Sequence, residues 1–170
     1  RFYMKHALYG PEYSEEEYAA LLSGEAARIA EASCQVIRFE NTDELCRTTA
    51  QAISEGQVIG WFQGRMEFGP RSLGCRSILG DPSYPGVADR INAQIKYRER
   101  WRPFCPSMLD RVAVDILQTE HPAPYMTFTF DVAEHWKSRI PEVVHEDGTA
   151  RAQVVTRETN PRYYELIEHL

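Results

Sequence analysis

Between Gly64 and Ser77 the chain reads GRMEFGPRSLGCRS, with three glycines at five-residue spacing (Gly64, Gly69, Gly74) and three arginines (Arg65, Arg71, Arg76). Glycine lets a backbone approach an anion closely, and arginine offers a planar fork that matches phosphate or carboxylate. The run follows an apolar strand pattern, as phosphate-binding loops do. It has neither the GxGxxG spacing nor the Lys-Ser/Thr ending of a P-loop. The competing reading is a tight loop whose arginines pair with Glu67 and neighbouring acids.

A second run, KYRERWRPFCPS, covers Lys96 to Ser107. Lys96, Arg98, Arg100 and Arg102 alternate with Tyr97, Glu99 and Trp101. In an extended segment this period of two sends all four cations to one face, where they repel unless an anion neutralises them. A polyphosphate is the natural counterpart. Pro103 holds Arg102 extended, and Ser107 offers a hydroxyl to a phosphate oxygen. A helical reading scatters the cations and needs only a solvated face.

The third run is HEDGTARAQVV, His145 to Val155, where Asp147-Gly148 is the strongest hairpin signal in the chain. It presents His145 at the tip, with Arg151 and Gln153 on one side of the returning strand, or else a merely polar exposed hairpin. The remaining histidines (His6, His121, His135, His169) show no HxxH, HxxxH or HExxH relation, so no metal site is expected. Cys75 and Cys105 lie in basic stretches that lower a thiol pKa, but neither has an identifiable base.

These runs share one region of an otherwise acidic chain. The 170 residues carry a formal net charge of −6, with 43% hydrophobic and 26% charged residues, an ordinary globular composition for one domain with an appendage. Residues 1–60 hold five basic and ten acidic side chains, and residues 112–170 hold the same numbers. Residues 65–111 hold nine basic against five acidic, a local +4. A cationic segment between acidic flanks points to a small, locally held anion, whereas a nucleic-acid binder is more often basic over a whole face. Nucleic acid is therefore disfavoured. No apolar stretch approaches the ~20 residues a bilayer requires, and Arg1–Gly10 lacks the apolar region of a signal peptide. Four well-separated cysteines without a CxxC pair suit reduced thiols in the cytoplasm.

An arm with Phe2, Tyr3, Tyr9 and Tyr13 leads to Gly10-Pro11 and a Ser14–Glu17 capping box, which opens a helix to about Ala32. Val36–Phe39 reads as a strand. Asn41 or Thr42 caps a helix to Gly56 with Leu45, Thr49, Ala52 and Ile53 inward, and Val58–Phe62 reads as a buried strand. Ser77–Leu79 is a strand, and a helix from Gly86 presents Val87, Ile91 and Ile95. Phe104–Leu109 and Tyr125–Val132 are strands, Glu142–His145 and Thr149–Thr156 form the hairpin, and Asn160-Pro161 starts the last helix. The order implies an α/β fold with a mixed sheet.

Gly64–Arg71 with Leu73-Gly74 and Arg76-Ser77-Ile78, followed by Ile91-Asn92, Lys96, Arg98-Glu99 and Arg102-Pro103-Phe104, resembles the C-terminal domain of NodU/CmcH-type O-carbamoyltransferases. Gly10–Ser14, Trp61-Phe62-Gln63, Asp147–Arg151 with Gln153, and Asn160-Pro161 fit the same pattern, so the resemblance covers nearly the whole chain. Ser72, Cys75 and Cys105 depart from the usual Ala, Asn and Ala. At position 75 this removes an amide.

The resemblance implies a YrdC-like domain: a twisted open mixed sheet with flanking helices, here over residues 34–170 and truncated at the C-terminus. Residues 1–33 then join a missing N-terminal domain. Such domains bind carbamoyl phosphate and ATP with Mg²⁺, as substrate, and form carbamoyl-adenylate. A preceding sugar-kinase-like, metal-containing domain passes the carbamoyl group to a hydroxyl. The implied roles are Lys96, Arg98 and Ser107 at the nucleotide phosphates, and Arg65, Arg71, Arg76 and Arg102 around carbamoyl phosphate. Arg151 is a further substrate contact, and a homodimer is compatible with this reading. The alternatives are the YrdC-like domain of a threonylcarbamoyl-adenylate synthase or hydrogenase-maturation enzyme, and a non-catalytic nucleotide- or RNA-binding module.

Overall fold

The computed structural model of the chain describes residues 4–170, so Phe2 and Tyr3 of the arm lie outside the described residues. In chain order the elements are α1 (Glu15–Gly24), α2 (Ala26–Glu31), α3 (Thr42–Ser54), β1 (Ile59–Phe62), β2 (Arg76–Leu79) and α4 (Val87–Ile91). A π-helical turn at Asn92–Lys96 follows, then β3 (Ser107–Leu109), α5 (Asp110–Leu117), β4 (Phe130–Asp131) and α6 (Glu134–Lys137). After a 3-10 turn at Pro141–Val143 come β5 (Thr149–Ala150), β6 (Gln153–Val155) and α7 (Pro161–Glu168).

The mixed α/β class is as expected, and the strand pairing among the described residues consists of three two-stranded ladders. β1 and β2 pair antiparallel, β3 and β6 parallel, and β4 and β5 antiparallel. The parallel pair divides the core. Leu109 and Val155 face a cluster with Cys46, Ala50, Ile53, Trp61, Tyr163 and Leu166. Their neighbours Met108 and Val154 face the other way, into a cluster with Ala113, Ile116, Leu117 and Val132. That is the period-two alternation of a strand buried on both faces.

Local signals account for the helix starts. Ser14 and Glu17 form the capping box, with Glu17 N–H donating to Ser14 Oγ at 3.3 Å and Ser14 N–H donating to Glu17 Oε2 at 2.7 Å. The helix it opens breaks at Glu25 into α1 and α2, neither of which buries a residue. Asn41, not Thr42, caps α3, whose buried face is Cys46, Ala50 and Ile53. Leu45, Thr49 and Ala52 lie only half-buried beside it.

Several strand expectations are corrected. Val36–Phe39 forms no strand, because Val36 and Ile37 are exposed with no edge to pair with. In β1 only Trp61 is buried. Positive φ at Met126 (52°) breaks the extended run near its start, and within Tyr125–Val132 the strand ladder forms at Phe130–Asp131. The Asp147-Gly148 turn exists, with Gly148 N–H donating to His145 O at 2.9 Å and Gly148 at φ 82°. Its arms do not pair as a hairpin ladder: the leading arm holds a 3-10 turn, β5 pairs with β4, and β6 pairs with β3. Ile95 lies in the π turn and is exposed rather than continuing the buried face of α4.

The Lys96–Ser107 segment is also corrected. Tyr97 adopts φ 48°, which ends the π turn, and no strand begins before Ser107. The four cations therefore do not share one extended face.

Candidate functional site

The glycine–arginine run is the connection between β1 and β2, and its backbone is fixed from inside. Glu67 is buried, and its Oε1 accepts the N–H groups of Leu73 at 2.7 Å, Cys75 at 2.7 Å and Arg76 at 3.2 Å. Backbone N–H groups converging in this way form an anion-binding nest. The anion that fills it is a side chain of the loop itself. The alternative in which the arginines pair with Glu67 is not what forms, since the carboxylate engages backbone donors.

Three buried amides tie the same loop to distant elements. Gln63 Nε2 donates to Gly74 O at 2.7 Å and to Asn160 Oδ1 at 3.1 Å. Gln153 Nε2 donates to Leu73 O at 2.9 Å, while its Oε1 accepts from Ser107 Oγ at 3.0 Å. Asn160 Oδ1 also caps α7, accepting from Tyr163 N–H, and its Nδ2 donates to Cys75 Sγ at 3.6 Å. Buried polar groups are costly unless paired, so these contacts hold the loop in one conformation. Ser107, assigned from sequence, thus joins the loop through Gln153.

The leading arm is stitched to this loop. Gly10 N–H donates to Met66 O at 2.9 Å, Met66 N–H to Pro11 O at 2.9 Å, and Phe68 N–H to Ala7 O at 2.6 Å. Ala7 packs with Leu73 and Met126. A Cβ on Gly10 would lie 2.9 Å from Met66 Cβ and O, so this crossing requires glycine. Beside the stitched loop lies a cleft of about 760 Å³ lined by Tyr13, Phe62, Gln63, Gly64, Arg65, Cys75, Asn160 and Arg162.

The arginines of the loop have different occupations. Arg76 stacks over the Phe62 ring, 3.5 Å from its centroid. It donates to Gln63 O at 2.7 Å, Cys75 O at 2.8 Å and Gly64 O at 3.0 Å, and so braces the base of the loop. Arg65 is exposed on the cleft wall, with Glu12 3.9 Å away. Arg71, on the tip, is half-buried and has no hydrogen bond or ion pair among the described residues.

The second run distributes its charges. Arg98 Nε donates to the buried Asn92 Oδ1 at 2.6 Å and lies over Phe104, 4.7 Å from the ring centroid. Arg100 pairs with Asp89, and this hydrogen bond lowers the Asp89 pKa and raises that of Arg100. Arg102 Nε is 3.0 Å from Glu99. Lys96 is exposed with no partner among the described residues. Arg100 and Arg102 are each tied to an acid, Arg98 is held by a neutral amide and a ring, and Lys96 has no partner among the described residues.

Arg151 Nε donates to Cys105 Sγ at 3.1 Å. Cys105 and Ser107 line a smaller apolar cavity of about 130 Å³ with Ile53, Val87, Phe104 and Tyr163. His145 Nδ1 meets Thr149 Oγ1 at 3.1 Å. The expected lowering of the Cys75 thiol is corrected: burial pushes it up to about 11, Glu67 adds to the rise, and Arg76 opposes it. All four cysteines are free. Asp43, Glu165 and His169 place ligand atoms within 4.8 Å of one another, a group that sequence spacing does not show because Asp43 comes from another helix. It is largely exposed, and Asp43 already pairs with Arg47 and His169. Among the described residues no helix is long and apolar enough to cross a membrane.

Fold and site together define an α/β domain organised around a rigid, arginine-bearing hairpin loop. The family model described as carbamoyltransferase C-terminus matches residues 50–170, and the chain belongs to that family. It is 38% identical to an uncharacterized protein of Synechocystis over 93% of this chain and 28% of that protein. It is 45% identical to nodulation protein NolNO of Sinorhizobium fredii over 77% of this chain and 20% of that protein. Nodulation protein U of Rhizobium tropici is 35% identical over 92% of this chain and 25% of its own length. The chain thus spans about a quarter of the length of these relatives.

Proposed function

We propose that this chain is the carbamoyl-adenylate-forming part of an O-carbamoyltransferase, with a YrdC-like architecture. Water cleaves carbamoyl phosphate to carbamate and phosphate. A carbamate oxygen then attacks the α-phosphorus of Mg²⁺-bound ATP; the new P–O bond forms as the bond to the β-phosphate bridge breaks, and pyrophosphate leaves. The carbamoyl group next passes to a hydroxyl of a small-molecule acceptor, with AMP leaving and the hydroxyl proton released. That transfer belongs to a preceding sugar-kinase-like, metal-containing domain of the parent polypeptide, to which residues 1–33 lead.

The observation that carries the reading is Arg71, a half-buried guanidinium without a hydrogen-bond or ion-pair partner among the described residues, on a loop held by Glu67, Gln63 and Gln153. Bringing two phosphorylated anions together is accelerated mainly by positioning and charge neutralisation, and a preformed cationic loop supplies both. Arg71, Arg65 and Arg102 meet carbamoyl phosphate or carbamate, and Arg76 braces the loop. Lys96, Arg98 and Ser107 meet the nucleotide phosphates, and Arg151 completes the substrate wall. The full-length polypeptide given carbamoyl phosphate and ATP releases pyrophosphate only when both are present. Absence of that release overturns the reading.

A further inference from the structure

We infer that Glu67 is a positioning residue: it is the internal anion of the loop nest, and by filling it leaves recognition of the carbamoyl substrate to the Arg71 side chain. This rests on the proposed function above. Phosphate-binding loops commonly present bare backbone N–H groups to their ligand. Here the N–H groups of Leu73, Cys75 and Arg76 already converge on Glu67 Oε1. A second anion at the same donors would meet a buried carboxylate and be repelled. The loop backbone is therefore closed to substrate.

Closure has a geometric consequence. With residue 67 bound to residues 73, 75 and 76, the chain between them is drawn into a projecting tip, in which Phe68 is 73% exposed and Gly69 takes φ 109°. Arg71 rides on that tip. Hydrogen bonds to an ionised carboxylate are roughly twice as strong as neutral ones, so three of them onto one oxygen make the tip a fixed platform. None of these contacts involves Lys96, Arg98 or Ser107, the proposed nucleotide residues, directly; Ser107 reaches the loop only through the neutral Gln153 amide at Leu73 O. The influence of Glu67 therefore falls first on the carbamoyl substrate and only at second hand on the nucleotide.

The test uses the full-length polypeptide with Glu67→Ala and Glu67→Gln, reading pyrophosphate release against each substrate and hydrogen exchange at the Leu73 and Cys75 amides. Glu67→Ala raises KM for carbamoyl phosphate by about tenfold or more, the scale of lost uniform binding, and moves KM for ATP by no more than about twofold. Glu67→Gln keeps an acceptor oxygen and restores KM to within about threefold of the parent. A carbamoyl phosphate KM that Glu67→Ala leaves unmoved, equal changes for both substrates, or failure of rescue by Gln each overturn the inference. A parent enzyme without pyrophosphate release overturns the proposed function instead. In that case, fast exchange at Leu73 and Cys75 in the parent still refutes the filled nest, and slow exchange that Glu67→Ala releases upholds it.

Discussion

The ring of Tyr163 lies directly against Gly74: a Cβ added to the glycine would sit 2.2 Å from Tyr163 Cδ1. The first turn of α7 therefore forms the floor on which the β1–β2 loop rests. Gly74 also holds φ 97°, a conformation that side chains resist. Gly74→Ala combines overpacking with that strain and is expected to cost about 2–4 kcal/mol in urea unfolding. Gly64→Ala supplies the contrast, since its φ of 47° is similarly positive but nothing lies within 4 Å. It should cost only about 1 kcal/mol.

Asn160 ties the loop to α7 from the other side. Replacing it by alanine removes the acceptor that caps Tyr163 N–H and leaves the buried Gln63 amide with one partner fewer. The expected loss is about 2–3 kcal/mol, a lost cap together with a buried polar group short of a partner. Equilibrium unfolding measures it, and a cost below about 0.5 kcal/mol would show that Asn160 is not a tie.

How far the sequence discloses this arrangement depends on the range of each interaction. The capping box at Ser14, the Asn41 cap and Pro161 at the start of α7 are legible because each signal lies within one helical turn. Val36–Phe39 has strand composition but remains exposed, since pairing depends on an edge that composition does not supply. The arginines of the first run are visible, yet the residue that shapes their loop is Glu67, which reads as a counterion for them. Its donors are backbone groups, and these leave no trace in side-chain type. Gln63 and Gln153 escape for a related reason: each acts on a carbonyl 11 or 80 residues away. The period-two reading of Lys96–Arg102 fails because Asn92, Asp89 and Glu99 each take one cation.

The buried thiols make stability fall with alkali. Burial pushes Cys46 and Cys75 up to about 11 from an ordinary value near 9.0. Below pH 9 both groups are protonated in the folded and unfolded chains, and their stabilising contribution is fully present. Between pH 9 and 11 the unfolded chain loses protons that the folded chain keeps, so stability declines as pH rises through the folded values. Urea midpoints at pH 8 and pH 10.5 should separate more in the parent than in Cys46→Ala/Cys75→Ala. Equal separations would place the alkaline loss on other groups.

Arg71, Lys96 and Arg100 test whether an unpaired cation marks a substrate contact. All three belong to the basic segment, but Arg100 is neutralised by Asp89, whereas Arg71 and Lys96 have no acid beside them among the described residues. A cation held without a counterion lowers a barrier by meeting charge that the substrate brings, and removing one such group costs roughly 10²–10³ in rate. Arg71→Ala and Lys96→Ala are therefore each expected to lower carbamoyl phosphate-dependent pyrophosphate release by about that factor in the full-length polypeptide. Arg100→Ala removes an exposed surface pair worth little and should leave the rate within about twofold. The two losses should also differ in kind. On the proposed assignment Arg71→Ala also raises the KM for carbamoyl phosphate and Lys96→Ala that for ATP, so the KM of each substrate, measured with the other saturating, distinguishes them. Near-normal turnover in Arg71→Ala or Lys96→Ala would remove that residue from the site.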